Sequence, residues 1–129
     1  MAHKLAEAWT CHIMPPLGGP GGVRREGTMD LSRMSAEGVL TDGRYYLEGG
    51  GAPRVLKGEA RGVNPIFLTL REFDERNVHK ATYDGLLVHE SPNGRLVLVG
   101  RKHFETAGPN LELEAAGDQN DPPWVITKP

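Results

Sequence analysis

The chain has 129 residues, with 15 Lys+Arg against 17 Asp+Glu and a formal net charge of -2. That length suits a single domain, residues 1–129, able to bury on the order of 65–70% of its unfolded surface. The near-balanced charge excludes the basic footprint of a nucleic-acid binder, and no apolar run approaches the roughly 18 residues of a membrane-spanning helix.

Cys11 is the only cysteine, which excludes an internal disulfide and a cysteine-based zinc site. MAHKLAEAWT lacks the apolar core of a secretory signal. It points to a cytoplasmic protein, or to a secreted or periplasmic one from which a signal peptide was removed.

In chain order, the apolar signals are short β-branched or aromatic runs separated by turn residues, the pattern of strands rather than helices. EAWTCHIM (7–14) predicts the first strand. PPLGGPGGVRRE (15–26) follows as a flexible Gly/Pro-rich loop, with Arg24 and Arg25 placed to face an anionic ligand if the loop is a lid. It is not a phosphate cradle of the Walker type, because no Gly-Lys-Ser/Thr and no helix follow. TMDLSR (28–33) predicts strand two. VLTDGRYYLE (39–48) predicts strand three, bulged or split at Asp42-Gly43. RVLKGEAR (54–61) and PIFLTLREF (65–73) predict strands four and five.

KATYDGLLVHE (80–90) and RLVLVGRKHF (95–104) predict a hairpin, strands six and seven, around Ser91-Pro92-Asn93-Gly94. A four-residue loop sets Glu90 against Arg95, Val88 against Val97, Leu87 against Leu98, Leu86 against Val99 and Asp84 against Arg101. These are matched pairs worth roughly 0.2–1 kcal/mol each. The same register puts Thr82 opposite His103 and His89 opposite Leu96. Residues 105–122 form a long loop or, at LELE (111–114), a short edge strand, and WVITK (124–128) predicts strand eight.

No helical crossover separates these runs, so neighbours pair antiparallel. The expected fold is all-β: an eight-stranded up-and-down barrel, with a β-sandwich as the alternative. The 80–104 hairpin is apolar on both faces, with Tyr83, Leu87, Leu96, Leu98 and Phe104 on one side and Leu86, Val88, Val97 and Val99 on the other. A barrel buries one face, so self-association through this hairpin is the simplest cover for the second.

Three pieces carry a family resemblance: Trp9 in EAWTC, the turn and strand SAEGVLTDGRYY, and ERNVHKATYDGLLV with Arg76, Asn77, His79, Ala81, Thr82 and Gly85. Together with the closing WVITKP they resemble the avidin family of calycin barrels. The resemblance implies a calycin-type fold and noncovalent ligand binding in the barrel mouth. It does not imply biotin. Where that family places ligand-holding tryptophans and an asparagine, this chain has Arg71, Tyr83 or Asp84, Gly100 and Cys11. A strand-three tyrosine (Tyr45 or Tyr46) and Thr82 are what remain of that pocket.

The candidate ligand-binding residues are Tyr45, Phe67, Arg71, Thr82, Tyr83 and Trp124. Arg71 shares a face with Phe67, Thr69 and Phe73; the opposite facing of strand five would bury Ile66, Leu68 and Leu70 and leave Arg71 in solvent. Of the strand carboxylates Glu59, Glu72, Asp84 and Glu90, one turned inward would be desolvated, whereas on the outside they would pair with Arg61, Arg71, Arg95 and Arg101. His3, His12, His79, His89 and His103 form no metal-ligand pattern, Cys11 has no nucleophile motif, and no metal, cofactor or catalytic residue is assigned.

The expected function is noncatalytic binding of a small molecule. The alternatives are an interaction or structural module with a side-chain-filled interior, or a barrel enzyme of cyclase or isomerase type. Nucleic-acid and membrane partners are not expected.

Overall fold

A computed structural model of the chain describes residues 3–13, 24–90, 96–104 and 123–127. The short apolar runs fold as β1 (Ala8–Ile13), β2 (Arg24–Asp30), β3 (Val39–Leu47), β4 (Arg54–Arg61), β5 (Phe67–Phe73), β6 (His79–Glu90), β7 (Leu96–Phe104) and β8 (Pro123–Thr127). The described residues contain no helix. Each strand pairs antiparallel with the next, and β8 carries ladder pairs to both β7 and β1, so the sheet curls into a barrel.

The alternation of the sequence sorts the side chains. Leu56 and Gly58 of β4, Leu68, Leu70 and Glu72 of β5, Ala81 and Tyr83 of β6, and Leu96, Leu98 and Lys102 of β7 are all buried. Of the two facings open to β5, the structure therefore has Ile66, Leu68 and Leu70 inside.

The interior is graded along its axis. Leu5, Leu31, Met34, Ile66 and Leu96 pack one end, around Trp9, which is fully buried. The Trp9 indole Nε1 donates to the Leu5 carbonyl at 3.0 Å, and the Leu31 amide donates to the Glu7 carbonyl at 2.9 Å. These bonds hold the N-terminal segment against the base of the barrel. Each buried leucine there contributes about 1.5–3 kcal/mol. At the opposite end stand the last residues of β1, β3, β5 and β7 and the first of β2, β4, β6 and β8. That end is the mouth, and its inward positions are polar.

Several expectations need correction. Strand two begins at Arg24 and ends at Asp30, so Arg24 and Arg25 belong to a strand rather than to the loop 15–26. Glycine and arginine read as loop residues, but the ladder to β1 continues through them. The hairpin register is as expected at Leu87–Leu98, Leu86–Val99, Asp84–Arg101 and Thr82–His103. A bulge then leaves Val88 without an opposite residue, setting His89 against Val97 and Glu90 against Leu96. The turn 91–95, like 14–23 and 105–122, lies outside the described residues, and with it the remaining loop and edge-strand expectations. The irregularity expected at Asp42-Gly43 is present as a register shift between Leu40 and Gly43.

Two glycines let neighbouring strands close up. A Cβ on Gly100 would lie 1.8 Å from the Asp84 carbonyl oxygen. One on Gly27 would lie 2.3 Å from the Tyr46 carbonyl oxygen and 2.8 Å from the Tyr45 ring. Gly27→Ala therefore forces the Tyr45 ring and β3 to move and is expected to destabilise the fold by about 1–3 kcal/mol in urea unfolding. Gly49→Ala, with nothing within 4 Å of the added carbon, is expected to change stability by less than about 0.5 kcal/mol. Equal effects of the two substitutions would contradict the packing argument.

Candidate functional site

Plain alternation turns Arg54, Glu72, Tyr83 and Lys102 inward, each in step with the leucines or alanine of its own strand. Tyr45 is turned in the same way from β3. Two further groups arrive by a different device. Between β1 and β2, Cys11 pairs with Gly27 but His12 pairs with Arg25, leaving Glu26 as an extra residue. Between β5 and β6, Glu72 pairs with Ala81 but Phe73 pairs with His79, leaving Lys80 as an extra residue. Such bulges break the period-two rule locally and re-aim a side chain. Here both bulged residues line the mouth.

The inward groups form one hydrogen-bonded network. Lys102 Nζ donates to Glu26 Oε2 at 3.0 Å and Oε1 at 3.2 Å. Tyr45 Oη donates to Glu26 Oε1 at 2.5 Å. Tyr83 Oη lies 2.6 Å from Glu72 Oε1 and 3.1 Å from Glu26 Oε1, so its single proton serves the nearer carboxylate. Arg54 Nη1 donates to Glu72 Oε2 at 2.6 Å. The Lys102 ammonium also sits over the Tyr83 and Phe104 rings, at 5.2 and 4.9 Å from their centroids. Tyr45 and Tyr83 meet edge to face at 6.1 Å. The Glu72 side chain is 3% exposed and that of Lys102 8%, so both charges depend on these partners rather than on water.

Burial sets the proton chemistry. It pushes the Tyr83 phenol well above the ordinary tyrosine range, with the Glu72 and Glu26 carboxylates adding to the effect. Tyr45 is raised in the same direction, first by burial and then by neighbouring negative charge. Burial pushes the Cys11 thiol up to about 12, against an opposing hydrogen bond with Tyr45. At neutral pH all three keep their protons, so the phenols act as fixed donors.

Above the network lies a cavity of about 580 Å³, lined on its apolar side by Leu47, Ala81 and Phe104. Arg25 and Glu48 stand at its rim, with Arg25 Nε 3.0 Å from Glu48 Oε1. The volume falls in the range of small-molecule pockets.

Of the residues expected from sequence, Tyr45 and Tyr83 form the floor and Arg25 the rim. Phe67 lies on the outer face, 44% exposed. Arg71 pairs with Glu59 at 3.1 Å on that face, and Thr82, opposite Arg71 in the ladder, hydrogen-bonds His79 Nε2 at 2.9 Å. None of these three joins the mouth. Arg24 pairs with Ile13 and Trp124 with Gly100 in the ladder, and their side chains lie outside what is described.

Glu26, Arg54, Lys80 and Lys102 were not singled out by sequence reasoning. Arg54 and Lys102 were accessible to it, two residues from Leu56 and at even spacing from Leu96 and Leu98. Glu26 and Lys80 were not, because each depends on a bulge. Among the described residues no group of three or more His, Cys, Asp or Glu could hold a metal ion, and no helix is long and apolar enough to cross a membrane. No protein-family model, curated protein or solved structure matches the chain.

Lys102→Met strands the Glu26 carboxylate and is expected to cost about 3–5 kcal/mol in urea unfolding, with much of the loss recovered in the double variant Lys102→Met, Glu26→Gln. Additive losses in that cycle would contradict the pairing.

Alkali offers a second check. Cys11 and the two phenols have folded pKa values above their unfolded ones, so the native state holds protons that the unfolded chain releases. Their contribution is complete below the unfolded thiol value of 9.0 and is lost as pH rises from there towards about 12. Each group contributes at most about 1.4 kcal/mol per pH unit. Stability is expected to fall steadily above about pH 9, and Cys11→Ala to shift the onset upward. A flat profile up to about pH 11 would contradict the burial argument.

Proposed function

We propose that this chain is a noncatalytic small-molecule-binding protein, an eight-stranded calycin-type barrel of avidin-like kind that holds its ligand in the mouth. The observation that carries the reading is the cavity of about 580 Å³ standing over a buried ion-pair network, in a barrel whose other half is filled with side chains. Burying two acid–base pairs contributes little net stability compared with apolar packing. An open pocket above them is consistent with a role in recognition. The antiparallel ladder in chain order and the resemblance at Trp9, SAEGVLTDGRYY and ERNVHKATYDG support the family assignment. The residues that stand where biotin-holding groups would be speak against biotin as the ligand.

A filled interior, as an interaction module would have, fits the packed base but not the mouth. A barrel enzyme would need a group free to accept or donate a proton. Each network carboxylate is engaged by a cation and a phenol, and both phenols are held protonated, which favours binding over catalysis.

The outer face supports self-association through the 80–104 hairpin: Phe67, Leu86 and Val99 are consecutive ladder partners across β5, β6 and β7, and Val88 is 51% exposed.

Native mass spectrometry of protein purified from its source tests both readings. It is expected to show a multiple of the 14.1 kDa chain mass and a small-molecule adduct released on denaturation. Leu47→Trp, which fills the mouth, is expected to abolish the adduct while leaving the assembly intact. A monomeric mass would contradict self-association, and an adduct insensitive to Leu47→Trp would contradict the mouth as its site.

A further inference from the structure

The hydrogen-bonding capacity left over in the mouth indicates what kind of ligand it takes, on the reading that the mouth is a binding site. Every oxygen of the two network carboxylates already accepts from the chain. Glu26 Oε1 receives Tyr45 and Lys102, and its Oε2 receives Lys102. Glu72 receives Tyr83 on one oxygen and Arg54 on the other. Glu48, half-exposed at the rim, accepts Arg25 on one oxygen.

The donors are not used up. A guanidinium has five N–H groups, and Arg54 commits one contact, to Glu72, while its side chain remains 30% exposed. Lys80 forms no hydrogen bond or ion pair with any described residue, although the β6 bulge turns it into the lining. The charge count agrees: Arg25, Arg54, Lys80 and Lys102 face Glu26, Glu48 and Glu72, four cations against three carboxylates. Within the lining, pairing Arg25 with Glu48, Arg54 with Glu72 and Lys102 with Glu26 leaves Lys80 over; Asp74, the carboxylate whose ionisation Lys80 and Arg54 both favour, lies outside the lining.

We propose that the mouth binds a small organic mono-anion, a carboxylate with an apolar body. Its charged end sits between Lys80 and the uncommitted N–H groups of Arg54, and its body lies against Leu47, Ala81 and Phe104. A cation would find the network carboxylates already engaged and would lie beside the Lys80 ammonium. A neutral apolar molecule would cover Lys80 without offering it an acceptor. A carboxylate supplies acceptors where donors are in excess and brings the lining to neutrality. The bulge at Lys80 is then a recognition device: without it Lys80 would take its turn on the outer face beside Thr82.

The test uses matched carboxylic acids and their primary amides with phenyl, cyclohexyl and hexyl bodies, titrated into the full-length protein by ligand-observed NMR and calorimetry. At least one acid is expected to bind about tenfold or more tighter than its amide and to weaken with rising salt. Lys80→Gln is expected to remove most of that preference, weakening the acid far more than the amide. Lys57→Gln, the same charge change on the outer face, is expected to leave both unchanged.

Acids and amides binding equally would overturn the anion assignment but leave the mouth as a binding site. Binding of neither by any body would overturn both. An acid preference that survives Lys80→Gln, or that Lys57→Gln removes equally, would overturn the role given to Lys80 and the bulge.

Discussion

The buried network around Glu26 is the constraint on which the rest of the barrel depends. Its members come one from each of six consecutive strands: Glu26 from β2, Tyr45 from β3, Arg54 from β4, Glu72 from β5, Tyr83 from β6 and Lys102 from β7. In a strand, a slip of one residue turns every side chain to the other face. Here such a slip in β4, β5 or β7 would carry Arg54, Glu72 or Lys102 out to water and leave its partner charged and buried. The network need not add net stability to do this. Its effect is to make the wrong registers costly, which the apolar rows alone would do less sharply, since several strands have apolar residues on both faces.

The two bulges give the mouth its charge pattern. β2 and β6 each carry one residue more than the ladder requires, and in each case that residue is charged and lines the cavity. Glu26 becomes the acceptor that gathers Tyr45 and Lys102. Lys80 becomes the one cation of the described lining that no lining carboxylate pairs with. Regular strands at the same two places would remove the network's central acceptor and its surplus charge together.

Polarity is segregated along the barrel axis. Trp9, Leu5, Leu31 and Met34 close one end with apolar contacts and the Trp9–Leu5 hydrogen bond. The other end is floored by phenols and ion pairs. The outer face has its own order, with Glu59, Arg71, Asp84 and Thr69 joined in pairs on β4 to β6, next to the apolar row of Phe67, Leu86 and Val99. These outer groups include Arg71 and Thr82, which resemblance and composition had drawn into the ligand site.

Much of the fold was legible in the amino-acid sequence, because period-two alternation and turn residues are local signals. The strands at Arg54–Arg61 and in the 80–104 hairpin and the antiparallel order follow from them, whereas both facings of strand five stayed open until the structure placed Leu68 and Leu70 inside. Tyr83, and Tyr45 as one of the pair Tyr45 and Tyr46, were recognisable as candidate ligand-site aromatics, without their facing. The site itself was not legible as a whole. A bulge is decided by how two strands align, and neither strand's sequence records it, so Glu26 read as a loop residue and Lys80 as the ordinary first residue of strand six. The choice of Arg54 as partner for Glu72, over arginines nearer in the chain, depends on curvature that brings the mouth ends of the strands together. The sequence by itself determined the strands and which face of most of them is apolar, because those depend on neighbours along the chain. Only the tertiary structure decided which charges meet at the mouth, because that depends on register and closure between segments far apart in sequence.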